Sequence, residues 1–202
     1  GGDDRLMSRR GNGVYVCNAP GATVTGNMIS QGRDGIFVNT SRKNIFANNR
    51  FEGLRFAIHY MNADDSEVSG NISIGNHLGY AIMFSKRVTI RDNISLDDRD
   101  HGIMLNYANN ARIEGNAVVG GGEKCLFVYN ANKNIIRDNR IEGCEIGIHF
   151  TGGSARNEIS GNAFVGNRTQ IKFVSTRDHV WSGNYWSDHA AYDGKAVWPG
   201  LR

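Results

Sequence analysis

Three of the chain's 5 methionines follow a histidine at regular distances: His59 and Met61 lie close together, and Met83 and Met104 come at successive later steps. A thioether is a soft neutral donor, so with one imidazole such a set prefers Cu(I) over calcium, magnesium or manganese. His59, Met61, Met83 and Met104 are therefore the candidate metal ligands, and Cu(I) is the candidate ion. The competing reading is packing, because methionine is a pliable apolar side chain suited to adaptable contact surfaces. A second group, Asp97, Asp98, Asp100 and His101, gathers three carboxylates and an imidazole in one short run. With Arg99 or Lys86 near a substrate carboxylate it would serve a polysaccharide lyase, hydrolase or epimerase as acid and base, or hold calcium. Such a charged turn is more simply read as solvated. His77, in the preceding turn, is placed to approach His101. The 3 cysteines, Cys17, Cys125 and Cys144, show no CxxC spacing. Neither a disulfide framework nor a zinc site is indicated, and Cys125 and Cys144 read as packing residues.

What must position these residues is a repeat. An apolar residue followed three positions later by asparagine recurs eight times, at Asn27, Asn49, Asn71, Asn93, Asn116, Asn139, Asn162 and Asn184. The residue before each is Gly, Asn or Asp, the types that most readily adopt a left-handed backbone, so each unit turns a corner there. Short β-branched and aromatic runs flank the corner, and another falls mid-unit, as in Gly35-Ile36-Phe37-Val38 and Gly147-Ile148-His149-Phe150. Its alternation is that of a half-buried strand. Units of 22 or 23 residues leave no room for a helical crossover, which excludes doubly wound and barrel folds. The expected fold is all-β, a parallel β-helix of about eight coils stacked at ~4.8 Å into a rod.

Stacking makes neighbours of residues one period apart. The asparagines are expected to point inward and hydrogen-bond from coil to coil. That discounts Asn71-Ile72-Ser73 and Asn93-Ile94-Ser95 as glycosylation acceptors, because both would be buried. The middle residue of the mid-unit strand forms an outward column, expected to run Tyr15, Phe37, His59, Met83, Met104, Phe127, His149, Lys172, with Met61 beside it. This column brings the soft donors together. Trp181 and Trp186 are expected to cover the open end of the apolar interior.

Composition narrows the function. A net charge of +3 with scattered basic residues does not favour nucleic acid. No apolar run is long enough to cross a membrane as a helix. Gly120-Gly121-Gly122-Glu123-Lys124 lacks the spacing of a phosphate loop. We expect residues 1–10 to be the remnant of a longer chain, residues 11–186 to form the β-helix and residues 187–202 to be a cap or tail.

Specific runs carry a resemblance. Ala57-Ile58-His59-Tyr60-Met61, Gly75-Asn76-His77-Leu78-Gly79-Tyr80-Ala81-Ile82-Met83, Arg99-Asp100-His101-Gly102, Leu105-Asn106-Tyr107-Ala108-Asn109 and, most specifically, Gly183-Asn184-Tyr185-Trp186-Ser187-Asp188 resemble the NosD family. The resemblance implies a right-handed parallel β-helix in the periplasm and a non-catalytic accessory role. The family is linked to copper supply for nitrous-oxide reductase, with an ABC transporter of NosF and NosY and the copper chaperone NosL as partners. Members are usually about twice this length.

Overall fold

The computed structural model describes residues 4–188. After one helical turn at Asp4–Met7, the chain forms three eight-stranded parallel sheets. Each coil contributes one strand to each sheet. Coil 3, for example, runs through Phe56–Met61, Glu67–Ser69 and Ile72–Ile74. This is the expected parallel β-helix with eight coils. The tail expected at 187–202 lies almost wholly outside the described residues.

The corners obey the predicted chemistry. Gly26, Asn48, Gly70, Asp92, Gly115, Asp138, Gly161 and Gly183, the residues before the recurrent asparagines, all have positive φ. From Asn49 to Asn184 each of these asparagines is then buried. The Asn71 backbone N–H and side-chain Nδ2 both donate to Asn93 Oδ1, and Asn93 repeats the pattern on Asn116. Asn93 Nδ2 also donates to the Val68 carbonyl, so one buried amide satisfies groups on both neighbouring coils. The ladder runs from Asn27 to Asn184. Asn71 and Asn93 are both buried, as required of rungs.

Between the ladders lies an apolar interior. In the mid-unit strands alternate residues face in, so Ile36, Val38, Ile58, Tyr60, Tyr80, Ile82, Ile148 and Phe150 are fully buried and belong to one core. Each such side chain contributes roughly 1.5–3 kcal/mol relative to exposure. At the C-terminal end Phe164 stacks on Trp186 at 4.3 Å, and Trp181 meets Phe150, Phe173 and Trp186. These rings close the last coils as the sequence led us to expect.

Two expectations are corrected. Cys125 and Cys144 form a disulfide. They are 19 residues apart yet lie on consecutive coils, Cys125 in Lys124–Tyr129 and Cys144 just before Ile146–Thr151. The bond replaces an interrupted inner ladder. The Leu54 amide donates to Asn76 Oδ1 and the Asn76 amide to Asp98 Oδ1, and the Cys144 amide donates to Asn167 Oδ1. Gly121, in the coil between, has no side chain to contribute. The second correction concerns register. Ala81, not Met83, pairs with His59 and with Met104. The small-residue slot of coil 4 is Gly79, where an added Cβ would lie 2.3 Å from the Gly102 carbonyl oxygen and 2.7 Å from Asp98 Oδ2. Taking Gly79 as the slot turns Tyr80 and Ile82 inward and moves Met83 two residues along.

Candidate metal-binding face

The outer face of the first sheet carries three columns of side chains. His59 belongs to the column Tyr15, Phe37, His59, Ala81, Met104, Phe127, His149, Lys172. Met61 and Met83 belong to the next, where they are direct partners on coils 3 and 4, with Asn39 and Asn106 on either side. The third column is Asp34, Phe56, Leu78, His101, Lys124, Ile146. The four predicted ligands therefore share one face, and Ala81 separates His59 from Met104.

This face is not a solvated surface. Leu78, Ala81 and Met104 form a buried cluster of their own, against which Phe56, Met83 and Phe127 pack. Met104 is 8% exposed and His59 9%, whereas Met61 and Met83 are half-buried. Met104 thus sits within the apolar layer, and Met61 and Met83 lie at its outer edge. The packing reading and the donor reading apply to the same residues.

His59 is tightly held. Its Nδ1 lies 3.2 Å from Asp34 Oδ2, and its ring meets Phe37 and Phe56 edge-on at 4.8 and 4.7 Å. Asp34 is fully buried and receives Arg55 Nε at 2.8 Å and Arg55 Nη2 at 2.6 Å. Arg55 in turn lies over the Phe56 ring at 4.7 Å. Burial pushes the Asp34 carboxyl up, but the hydrogen bonds from His59 and Arg55 outweigh it and hold the group below its ordinary range. Asp34 and Arg55 were not singled out from sequence. The signal was present, because the period puts Asp34 beside Phe56, three residues from His59 on the next coil.

By chemical type, two thioethers and an imidazole suit a soft monovalent ion. Met61 and Met83 place two thioethers on adjacent strands about 4.8 Å apart, and with Nδ1 engaged by Asp34, Nε2 is the imidazole nitrogen left for a metal. Both Asp34 oxygens are already occupied by Arg55 and His59. Among the described residues no group of three or more His, Cys, Asp or Glu converges to hold a metal.

The acidic run is dispersed by the fold. Asp98 is 2% exposed and faces the interior, where it accepts from Ser73 Oγ, Ser95 Oγ and the Asn76 amide. It is a ladder rung, unavailable to a substrate. Burial raises its carboxyl to about 6 despite those hydrogen bonds. Asp97 and Asp100 are exposed, as are Lys86 and Arg99. The His101 ring bonds its Nδ1 to the Asp100 carbonyl and sits 5.0 Å from Phe127, and Asp100 donates its amide to the His77 carbonyl. The rival acid–base constellation suggested by adjacency is therefore not assembled.

The family model described as "Periplasmic copper-binding protein (NosD)" matches residues 1–191. A protein from Stutzerimonas stutzeri called "Probable ABC transporter binding protein NosD" is 40% identical over 211 residues, covering 95% of this chain and 48% of the relative. One of the same description from Pseudomonas aeruginosa is 40% identical over 210 residues, covering 95% and 49%. The chain thus spans about half the length of the curated relatives it matches. Among solved structures, a mutant of the periplasmic alginate epimerase AlgG superposes with a TM-score of 0.76 at 18% identity, over 87% of this chain and 47% of that one. At that identity the likeness is one of fold.

Proposed function

The chain belongs to the NosD family of periplasmic copper-binding proteins, and we propose that it is a non-catalytic accessory in copper-centre assembly that holds Cu(I) in passing on the outer face of its first sheet. The observation that carries this reading is the direct pairing of Met61 with Met83 beside His59, a soft donor set on a rigid sheet. Met104, one coil further on in the same apolar layer, is the fourth member. In this reading the ion is cargo. Two thioethers and one imidazole favour the reduced ion, and a half-buried position lets another protein reach it.

The finer reading is that the acceptor is the nitrous-oxide reductase apparatus, with NosL delivering copper and NosF and NosY forming the transporter. Compartment and redox state agree with it, since a buried disulfide between coils suits an oxidising space such as the periplasm. No helix among the described residues is long and apolar enough to cross a membrane.

Anaerobic Cu(I) titration against a competing chelator tests the proposal. Wild-type protein is expected to take copper from the chelator, and Met61→Ala with Met83→Ala to weaken binding at least tenfold. Equal affinity in both proteins would remove the stripe as the site.

A further inference from the structure

We propose that Asp34, clamped by Arg55, is the positioning residue of the site: it fixes His59 in the tautomer that carries its proton on Nδ1, leaving Nε2 as the metal-facing nitrogen. The inference deepens the copper reading and rests on it for the identity of the ion.

The geometry of the Asp34 contacts carries this role. Asp34 is a fully buried carboxylate, the one acidic residue in a column that goes on through Phe56, Leu78, His101, Lys124 and Ile146. A buried charge costs several kcal/mol unless it is paired and hydrogen-bonded, and an apolar residue there would avoid that cost. Arg55 meets the carboxylate with two nitrogens, Nε on Oδ1 and Nη2 on Oδ2, and Oδ2 is shared with His59 Nδ1. A carboxylate only accepts, so the neutral ring must donate from Nδ1. The ring is also confined by Phe37 and Phe56, which restricts rotation as well as tautomer. A histidine whose second nitrogen donates to a carboxylate is the usual arrangement in metal sites, where such a partner sets ring orientation and raises ligand basicity. Arg55 balances the carboxylate charge. A buried histidine serving only as packing needs one acceptor for its ring N–H, but not a carboxylate that is itself clamped by an arginine.

Two measurements test the inference. The first needs no variant and no metal: long-range ¹H–¹⁵N correlation NMR of the copper-free chain at mildly alkaline pH, with His59 assigned from a His59→Gln sample. Protonation on Nδ1 is expected, and protonation on Nε2 would overturn the inference whatever copper does. The second is Cu(I) competition with Asp34→Asn, its fold checked by circular dichroism and its His59 tautomer read by the same NMR experiment. An affinity loss of about 10–100-fold together with loss of the Nδ1–H preference supports positioning. Unchanged affinity in a folded Asp34→Asn chain overturns it. If wild-type protein binds no Cu(I), the copper reading and the ligand role of His59 fall together, and the NMR result still shows separately whether Asp34 sets the tautomer.

Discussion

Asp98 makes a sharp prediction because it is a carboxylate where the ladder's own pattern uses an amide. The same rung is Asn76 on the preceding coil and Asn167 near the end of the rod. Burial raises the Asp98 carboxyl from 3.8 to about 6 in the folded chain. Between those values the folded chain holds a proton that the unfolded chain has released. The group's stabilising contribution is therefore complete below about 3.8 and is lost as pH rises through about 6. A displacement of this size corresponds to roughly 3 kcal/mol. Asp98→Asn keeps the acceptor for the Asn76 amide, and the Ser73 and Ser95 hydroxyls can turn to accept from the new NH₂. The variant should gain on wild type by roughly 3 kcal/mol between pH 3.8 and pH 7.5, which at neutral pH is on the order of 6–12 °C in Tm for a chain of this size. Paired urea and thermal unfolding across that range, read as the difference between the two proteins, cancels titrations common to both. Asp34, whose carboxyl is lowered, acts with the opposite sign in each and drops out. A difference that stays flat, or that shrinks as pH rises, would refute the assignment of Asp98 as a strained rung.

The Asn ladder should be costly to break in the middle and cheap at its end. Asn93→Ala orphans the Asn71 amide and the Val68 carbonyl, both buried, for a loss of roughly 3–5 kcal/mol in chemical denaturation, whereas exposed Asn27→Ala should cost under about 1 kcal/mol. Denatured but unreduced protein should show one free thiol, Cys17, and three after reduction. Replacing Cys125 and Cys144 together by serine should lower stability by about 3 kcal/mol, the loop-closure value for a separation of 19 residues.

The architecture was legible because a solenoid repeats one local decision eight times. The left-handed corner, the inward asparagine and the alternating strand each recur at a fixed phase, so an ambiguous unit is settled by its neighbours. Coil 4 shows the limit of that redundancy. Gly79-Tyr80-Ala81-Ile82-Met83 offers two small residues as the start of the strand, and alternation alone accepts either. Only the approach of the Gly102 carbonyl to Gly79, a contact between coils, decides it. The disulfide was hidden for a related reason. Cys125 and Cys144 are 19 residues apart, less than one period, so they occupy different phases of the coil and stacking by period does not pair them. They meet because they sit on opposite sides of a corner where Gly121 leaves the inner ladder empty.

The site divides in the same way. Residue type alone announced the soft donors, and the period placed them on one face. What the sequence hid was the distinction between facing outward and reaching solvent. Phe56, Leu78 and Phe127 rise around Met104 and His59, so an outward column becomes a buried layer whose edge is Met61 and Met83. The acidic run errs in the opposite sense, because adjacency in sequence put Asp98 with Asp97 and Asp100 while the corner between them turns it inward. On a β-helix a chemically competent group is therefore found by reading across coils at fixed phase. That rule scatters the Asp97–His101 run, and it sets Asp34 beside Phe56 on the next coil, within reach of His59 three residues on.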